Sequence, residues 1–439
     1  MIRALLFSFC IAAASLQAQQ FYGPILGHVD FREGRVVIQT LREQSVQLRY
    51  RDSGSNQAYR FTAAQQTKLS RGFTAEFAIP AEPGRTVEYD VWLDSKSSRG
   101  GTFYFNTPEL WRWRSIDPPA LRVAFGSCFY SNEPRFDRPG KPYGDSATDI
   151  FNKIADKQPD LMIWGGDNIY LREPDWGSES GIYARYTHTR SQPGPSRLLR
   201  SCPNYAIWDD HDFGPNDANA SFIHKDKTLR AFHDFWANPS EGLPCQPGIT
   251  TWFERSDVQF FLLDDRYNRT LPGDSNATIL GKAQLEWLKQ ALLTAPANEW
   301  KVVCVGGQFL NTVADFENFA RYPKEREALI RHIQDNGIRN VIFLSGDRHF
   351  AELSVLKQEG KPTIWDFTSS PLTSGVFARA AEEKNTLRVP GTIYSQDRNF
   401  GTLDFSGPRN ARNLTLRLFD KQGNQIWEQV VKAERAERK

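Results

Sequence analysis

The chain has 439 residues, of which 40% are hydrophobic and 24% are charged, and its formal net charge at neutral pH is +2. This length is more than a single domain usually holds, and the apolar content is sufficient for more than one hydrophobic core. Because the charges nearly balance, the composition gives no indication of a protein that binds nucleic acid or an anionic membrane surface.

The first 18 residues have the pattern of a secretory signal peptide. Arg3 precedes an apolar stretch at residues 4–16, and Ala18 is a small residue suited to cleavage. The stretch is shorter than the ~20 apolar residues that a membrane-spanning helix needs, and no later segment qualifies. The sequence therefore predicts a secreted or periplasmic protein, cleaved near Ala18, without stable membrane insertion.

Cleavage of this segment would remove Cys10 and leave four cysteines. Cys304 lies in an apolar run and is expected to pack as a small hydrophobic residue, while Cys128 is considered below as a metal ligand. By elimination we expect a disulfide between Cys202 and Cys245, which an oxidising compartment would permit. Closing this loop would contribute on the order of 4 kcal/mol in the chain-entropy model.

Residues 21–110 contain short runs of alternating apolar and polar residues separated by turn residues. This pattern is typical of a small β-sandwich. The region shows no constellation of reactive residues, so we expect it to be an accessory domain. Residues 115–120 include a Pro-Pro pair and are predicted to form a linker.

After the linker the pattern changes to alternating strands and helices, which is typical of an α/β domain, here assigned to residues 121–432. The predicted strands include 121–125, 258–263, 301–305 and 341–344, and the predicted helices include 145–157, 283–294 and 323–335. From about residue 363 strands dominate again, at 402–405, 414–419 and 426–431. We expect these last strands to complete a second sheet.

Three buried strands of this region end in polar residues, in the sequences PDLMIWGGDNIY, NYAIWDDHD and NVIFLSGDRH. In α/β sheets ligands bind at the carboxyl ends of the strands, and converging carboxylates repel one another unless cations lie among them. The sequence therefore predicts a metal site at these strand ends. Its candidate residues are Asp167, Tyr170, Asp209, Asp210, His211, Asp347 and His349.

The order of the motifs FGSC, GGDNIY, WDDHD and GDRH resembles that of the PhoD-type alkaline phosphatases, a branch of the metallo-dependent phosphatases. LLDDRYNR and GKAQLEWL are also similar to segments of that family, so the resemblance covers roughly residues 121–349. It implies a layered α/β/β/α sandwich, preceded by an all-β sandwich, and the hydrolysis of phosphate esters. Each motif alone is too short to indicate a family. The resemblance rests on the finding that the motifs occur in the same order and at predicted strand ends.

The resemblance implies a centre that binds Fe³⁺ and Ca²⁺. Asp167 would bridge the metals, Cys128 would be a thiolate ligand and Tyr170 a phenolate ligand. The remaining expected metal ligands are Asp209, Asp210, Gln308, Asp347 and His349. Gln308 would stand where other members of the superfamily have a histidine.

The chemistry of these ligands agrees with that expectation. Carboxylate and phenolate oxygens suit hard cations such as ferric iron and calcium, and a thiolate holds iron tightly. An all-zinc site would show more histidines, although Zn²⁺, Mn²⁺ and Mg²⁺ are kept as alternatives. For Cys128 the alternative is a buried small hydrophobic side chain without a ligand role.

The resemblance also assigns roles around the metals. His211 is expected to be a general acid or a donor to the transition state, the alternative being a histidine that is only salt-bridged to a neighbouring Asp. Arg266 either clamps a phosphate oxygen or pairs with Asp264 and Asp265, and the residue type does not choose between these. Asn216 is a candidate substrate contact.

Two features depart from the family pattern. Well-known members carry a twin-arginine signal, whereas only Arg3 precedes the apolar stretch here, so the metals would be acquired outside the cytosol and their identity is open. Asp212 stands where Glu is common.

The leading hypothesis is a monomeric, secreted phosphoesterase that hydrolyses phosphate monoesters by a metal-activated water. A phosphodiesterase or phospholipase-type activity is the alternative at the level of substrate. A hypothesis of another class is a non-catalytic secreted protein in which the metals only stabilise the fold. No nucleic-acid partner is expected beyond a diester substrate.

Overall fold

The computed structural model describes residues 19–98, 100–146, 149–244, 246–296 and 299–435. The expected signal peptide at residues 1–18 lies outside the described residues, and so does Cys245. Among the described residues, no helix combines the length and the apolar character that crossing a membrane requires.

Residues 21–106 form two antiparallel sheets that enclose a hydrophobic core of their own. Their strands are β1 (Phe21–Val29), β2 (Glu33–Thr40), β3 (Ser45–Asp52), β4 (Arg60–Phe61), β5 (Gln65–Gln66), β6 (Thr74–Pro80), β7 (Thr86–Leu93), β8 (Lys96–Ser97) and β9 (Phe103–Asn106). One sheet has the order β1-β2-β6 and the other β4-β3-β7-β8, with β5 beside β3 and β9 beside β7. Val36 and Ile38 of β2 point into this core, whereas Val37 between them faces the main core of the chain.

The rest of the chain alternates strands and helices. The strands are β10 (Leu121–Gly126), β11 (Leu161–Gly165), β12 (Asn204–Ile207), β13 (Thr251–Arg255), β14 (Val258–Leu262), β15 (Trp300–Cys304), β16 (Val341–Ser345), β17 (Glu352–Leu356), β18 (Ile364–Thr368), β19 (Asn399–Ser406), β20 (Asn413–Asp420) and β21 (Gln425–Lys432). The helices are α1 (Ile150–Asp156), α2 (Glu173–Trp176), α3 (Glu179–Ser191), α4 (Pro193–Ser201), α5 (Asp210–Phe213), α6 (Lys225–Phe235), α7 (Lys282–Thr294) and α8 (Pro323–Asp335).

These strands form two six-stranded mixed sheets. The first has the order β12-β11-β10-β19-β20-β21, in which β10, β11 and β12 are parallel and β19 is antiparallel to β10. The second has the order β13-β14-β15-β16-β18-β17, in which β14, β15, β16 and β18 are parallel. The parallel strands of each sheet therefore end at a common edge.

Alternate residues of the central strands face opposite layers. Phe260 of β14 lies in the main core, where Phe125 of β10 approaches Phe367 of β18 with ring centroids 6.5 Å apart. Phe261 and Phe343 point the other way, into a core shared with α7 and α8. The two sheets thus pack against each other with helices outside them, which confirms the expected α/β/β/α sandwich.

The N-terminal β region packs directly on the α/β region. The backbone N–H of His28 donates to the carbonyl of Ala237 at 2.8 Å, and the side-chain amide of Asn204 donates to the carbonyl of Leu26 at 3.1 Å. At Gly27 a Cβ atom would stand 2.4 Å from that of Ala237, so only glycine permits this close approach. Polar contacts therefore join the two regions in addition to the linker.

The last three strands differ from the sequence expectation. They were expected to complete a second sheet, but β19 pairs with β10, with Val123 opposite Leu403, and β20 and β21 extend the sheet from there. Without them, one edge of β10 would present unpaired backbone groups within the domain interior. The carboxyl-terminal strands therefore complete the same sheet that carries the first motifs.

Cys202 and Cys304 are buried in the main core as free thiols, as is Cys128 at the site described below. The packing predicted for Cys304 is thus observed. Cys202 follows α4 and turns its sulfur inward, 3.9 Å from the carbonyl of Leu198. Because Cys202 is a free thiol and Cys245 lies outside the described residues, the structure gives the predicted disulfide no support.

Candidate metal centre

The parallel strands deliver their polar residues to one place. Cys128 follows β10, Asp167 follows β11 and Asp210 follows β12, while Asp347 and His349 follow β16 of the second sheet. Their ligand atoms form overlapping groups in which every atom lies within 4.8 Å of the others, namely Cys128–Asp167–His349, Asp167–Asp210–His211 and Asp209–Asp210–Asp347. Two sheets therefore contribute to a single cluster, as the strand-end pattern predicted.

Four of these residues have backbone conformations that non-glycine residues rarely adopt. The φ angles of Cys128, Asp167, Asp347 and His349 are 63°, 53°, 61° and 57°, in the left-handed region. Such conformations cost of order 1–3 kcal/mol each and persist where the surroundings impose them, most often at functional sites. The sharp turns aim these side chains into the cluster instead of along their strands.

One side of the cluster combines sulfur, phenol and imidazole. The Sγ atom of Cys128 lies 3.6 Å from Oδ2 of Asp167 and accepts a hydrogen bond from the hydroxyl of Ser370 at 3.1 Å. The phenol oxygen of Tyr170 lies 3.2 Å from Nε2 of His349. The expected thiolate, phenolate and imidazole ligands therefore face one another around Asp167.

The other side of the cluster consists of carboxylates on the short helix α5 and the residue before it. Oδ1 of Asp167 accepts the backbone N–H of His211 at 3.2 Å, and Oδ2 of Asp210 accepts that of Asp217 at 2.8 Å. Asp212 accepts the backbone N–H groups of Asn168 at 3.0 Å and of Ile169 at 3.2 Å. These bonds tie the strand ends of β11 and β12 together, so Asp167 and the carboxylates of α5 are held in one geometry.

The buried carboxylates have oxygens that no protein group satisfies. Within the described residues, Oδ2 of Asp209, Oδ1 of Asp210 and Oδ1 of Asp265 are buried and have no hydrogen-bond partner. At Gly306 a Cβ atom would lie 2.4 Å from Asp265 and 2.5 Å from Asp209, so glycine leaves room where the carboxylates converge. Unsatisfied buried anionic oxygens are costly, and buried charges are normally paired or coordinate metal ions. The donor set therefore fits metal ions.

The pKa values of the cluster point to the same conclusion. Burial, reinforced by the charge of Asp210, raises the pKa of Asp167 well above its ordinary range, and burial together with Asp167 raises that of the Cys128 thiol. In the absence of a cation these ligands therefore retain protons, which a metal ion would displace. Burial lowers the pKa of His349 to about 4, so its imidazole is neutral at pH 7 and available as a ligand.

Asp210 behaves differently from its neighbours. Its burial would raise its pKa, but the charges of His211 and Arg266 outweigh that effect and lower the pKa to about 2. Asp210 is thus ionised throughout the physiological range. It is a strong candidate for a residue that binds a cation at every working pH.

Arg266, the first of the two expected substrate contacts, has another role in the structure. Its guanidinium is fully buried, with Nε donating to Asp209 at 2.5 Å and two N–H groups donating to Glu317 at 2.9 and 2.7 Å. Asp265 is a distant partner at 3.9 Å, and Asp264 accepts only the backbone N–H of Arg266. These contacts favour pairing with acidic residues over a clamp on a phosphate, because the side chain is enclosed and occupied as a counter-charge.

Gln308 was expected to be a metal ligand, and its contacts do not support this. Its amide nitrogen donates to Glu352 at 2.8 Å and to Thr368 at 2.9 Å. Its oxygen accepts from Asn311 at 2.7 Å and from Arg348 at 3.0 Å. Because both polar atoms are fully used within a buried network, Gln308 supports the 347–349 turn through Arg348 instead of binding a metal.

Asn216 is exposed in the loop after α5, beside Asp217. Its position near the acidic residues is compatible with a substrate contact, and that role stays a prediction. The same loop brings Asp217 within 4.8 Å of Asp210 and Glu317.

Several residues around the site were not found from the sequence. Asp265 follows β14 and was considered only as a partner of Arg266, although the strand-end rule applied to LLDDRYNR would have included it. Three further residues lie in loops that are distant in sequence from the motifs they contact, namely Tyr143, Glu317 and Ser370. No local sequence pattern distinguishes them from surface residues. Only the folded structure brings them to the cluster.

Removal of metal with a chelator is expected to lower the melting temperature more at pH 8 than at pH 5. In the metal-free protein, burial raises the pKa of Asp209 to about 6 and that of Asp212 to about 7. Because an unfolded Asp titrates near ~3.9, the folded state binds more protons than the unfolded state between about pH 4 and 7. The stability of the metal-free protein therefore falls as the pH rises through this range.

Bound cations would favour the ionised carboxylates and offset this loss, so the difference between the loaded and the stripped protein should grow with pH. Asp210, with its pKa of about 2, titrates below this pH range, so it does not alter the direction in which the stability changes with pH. Thermal melts with and without EDTA at the two pH values measure the effect. An equal decrease at pH 5 and pH 8 would contradict the assignment of Asp209 to a cation site.

Comparisons with known proteins identify the family and the fold of this chain. Residues 139–413, more than half of the chain, match the family model of the PhoD-like phosphatases. The chain is 23% identical over 312 residues to alkaline phosphatase D of Bacillus subtilis (strain 168), a match that covers 58% of this chain. The same match covers 51% of that relative, so the chain spans about half the length of the curated protein that it matches.

Two solved structures share the fold. The structure of PhoD superposes with a TM-score of 0.74 at 17% identity, covering 94% of this chain and 92% of that one. The purple acid phosphatase PPD1 from yellow lupin (Lupinus luteus) seeds superposes with a TM-score of 0.64 at 12% identity, covering 93% and 74% of the two chains. The resemblance inferred from the order of the motifs is thus confirmed, and this chain belongs to the PhoD-like phosphatase family.

Proposed function

We propose that this protein is an exported metal-dependent phosphoesterase that hydrolyses phosphate monoesters. The observation that carries the proposal is the cluster at the strand ends, where buried carboxylates lack partners and a partly exposed histidine stands beside them. The membership of the family supports the reaction class. Export rests on the sequence pattern of residues 1–18 alone.

The residues of the cluster divide into two metal-binding sides. Cys128, Tyr170 and His349 would hold a ferric ion, while Asp209, Asp210 and Asp347 would hold calcium, with Asp167 between the two sides. When bound, such ions would supply a water of lowered pKa and stabilise the negative charge on the phosphoryl group. Ser370 would donate its hydroxyl to the sulfur of Cys128 and stabilise the thiolate.

His211 supplies what the carboxylates lack, which is a proton donor. Its backbone N–H is bound to Asp167, and its ring lies over that of Tyr170, with centroids 4.3 Å apart and planes 31° apart. The side chain is partly exposed, so a substrate in solution can reach it. We assign His211 the protonation of the departing alkoxide oxygen, because an alkyl alcohol leaves poorly without a proton.

Elemental analysis combined with assays on a phosphate monoester and a phosphate diester tests the proposal. We expect iron and calcium in the purified protein and faster hydrolysis of the monoester, with activity lost on chelation and restored by metal. Preference for the diester would favour the phosphodiesterase alternative. Metal-loaded protein that hydrolyses neither ester would favour the non-catalytic alternative and overturn the proposal.

Replacement of Tyr170 by phenylalanine is expected to bleach or shift visible absorption. Phenolate and thiolate bound to ferric iron give charge-transfer bands, so the iron-loaded protein should be coloured, and the change removes one of the two contributing ligands. The phenol oxygen of Tyr170 lies 3.2 Å from Nε2 of His349, so both atoms are close enough to bind the same metal ion. Absorption spectra of both proteins at equal iron content measure the effect, and a colourless, active, zinc-containing enzyme would contradict it.

A further inference from the structure

Tyr143 is a residue outside the sequence motifs whose side chain reaches the candidate metal centre. It lies in the long loop between β10 and α1, and 45% of its surface is exposed. Its phenol oxygen nevertheless stands 3.1 Å from Nδ1 of His349. An exposed ring with its polar end directed inward is unusual for a residue that serves only to cover the surface.

The surroundings of Tyr143 hold it in this position. Its ring packs on that of Tyr130, with centroids 4.9 Å apart, and lies over Gly375, where a Cβ atom would stand 2.7 Å from the ring. The next residue, Gly144, is clamped by the side chain of Asn132, which accepts its N–H at 3.0 Å and donates to its carbonyl at 2.8 Å. The contact with His349 is therefore built into the loop.

The two ring nitrogens of His349 have different neighbours. Nδ1 faces the phenol of Tyr143, while Nε2 lies 3.2 Å from both the phenol of Tyr170 and the hydroxyl of Ser374. Nε2 thus points towards Tyr170, an expected metal ligand, and Nδ1 points towards Tyr143, while the backbone of Gly375 is a further hydrogen-bond partner of the ring. A metal-binding histidine is usually oriented by a hydrogen bond at the nitrogen that does not bind the metal.

We propose that Tyr143 positions His349 as a metal ligand, by accepting the proton of Nδ1 so that the lone pair of Nε2 is directed at the ion. This inference deepens the proposed function and rests on its metal centre. The phenol and Nδ1 share one hydrogen bond, which holds the orientation of the ring. Tyr143 is a positioning residue in this account and makes no contact with the substrate.

Cobalt binding to chelator-stripped protein tests the inference without reference to turnover. Co²⁺ bound by a thiolate and an imidazole absorbs in the visible, so titration with Co²⁺ alone reports on the side of the cluster formed by Cys128 and His349. Tyr143→Phe removes one hydroxyl from a half-exposed ring and should leave the fold intact. We expect its affinity for Co²⁺ to fall by roughly 10–100-fold, with a shifted absorption band.

Tyr130→Phe is the matched control. Tyr130 is the other ring of this edge-to-face pair, but its hydroxyl donates to Asp137 at 2.8 Å and not to His349. We expect this variant to bind Co²⁺ with the affinity and the spectrum of the unaltered protein. A loss of the same size in both variants would mean that packing of the loop, and not the hydrogen bond, is responsible, and would overturn the proposal.

The remaining outcomes separate this inference from the proposed function. Unchanged Co²⁺ binding in Tyr143→Phe with a reduced kcat/KM would show that the phenol contacts the substrate, which overturns the positioning role. If the unaltered protein hydrolyses no ester but Tyr143→Phe still binds Co²⁺ more weakly than it does, the proposed function is refuted and the positioning role stands. An unaltered protein that binds no Co²⁺ would overturn both.

Discussion

Replacement of His211 by alanine is expected to lower kcat for an alkyl phosphate by roughly 10²–10⁴-fold while the metal content is retained. The ring lies over Tyr170, and one ring nitrogen lies within 4.8 Å of carboxylate oxygens of Asp167 and Asp210. A proton donor in this position assists the departure of a basic alkoxide. A nitrophenolate leaves without a proton, so its hydrolysis should be affected far less.

The two leaving groups and the metal analysis distinguish the roles that a histidine at this position can have. Equal losses for both esters at constant metal content would identify His211 as a donor to the phosphate and not as the acid. Loss of metal would identify it as a ligand. His224→Ala is a suitable control, because the ring of His224 packs edge-on against Phe222, with centroids 5.8 Å apart, and we expect little change in either ester.

Replacement of Arg266 by methionine is expected to destabilise the protein by about 3–5 kcal/mol. The change removes the positive charge from the buried pairs with Asp209 and Glu317 while both carboxylates stay enclosed. Removing one partner of a buried ion pair leaves the other charge uncompensated. The resulting destabilisation is larger than the stabilisation that the intact pair provides. Urea unfolding of the metal-free variant and the unaltered protein measures the difference.

The pH dependence of this variant follows from the same contacts. Arg266 opposes the rise that burial produces in the pKa of Asp209, so without Arg266 that pKa should rise further. The variant should therefore be least stable at alkaline pH and recover part of its stability below the raised pKa, where Asp209 is protonated.

The exposed pair of Arg230 with Glu179 provides the control for this variant. Arg230→Met should cost no more than about 1 kcal/mol, since solvent screens the pair. If Arg266→Met kept full stability but raised KM for phosphate esters, the phosphate-clamp alternative for Arg266 would be right and the counter-charge role wrong.

The positions of the strands and of their polar ends were determined by local sequence. An apolar run followed by Gly and Asp specifies a buried strand and a turn, because these preferences act within a few residues. Asp167, Asp210, Asp347 and His349 were therefore expected at strand ends from the sequence, Cys128 was added through the resemblance of the motifs, and their meeting followed from the common edge of parallel strands. The layered sandwich was likewise predictable from the alternation of elements and the resemblance of the motifs.

What each polar residue does after it reaches the site was decided only by the tertiary structure. Arg266 pairs with Glu317, 51 residues later in the chain, and Gln308 donates to Glu352, 44 residues later. Tyr143 meets His349 across 206 residues. Side-chain type and spacing carry no information about such distant partners, because the choice depends on which loops pack together and which charges are buried together. The sequence thus determined where the candidate metal centre lies, and long-range packing determined which side chains face one another there and which are paired elsewhere.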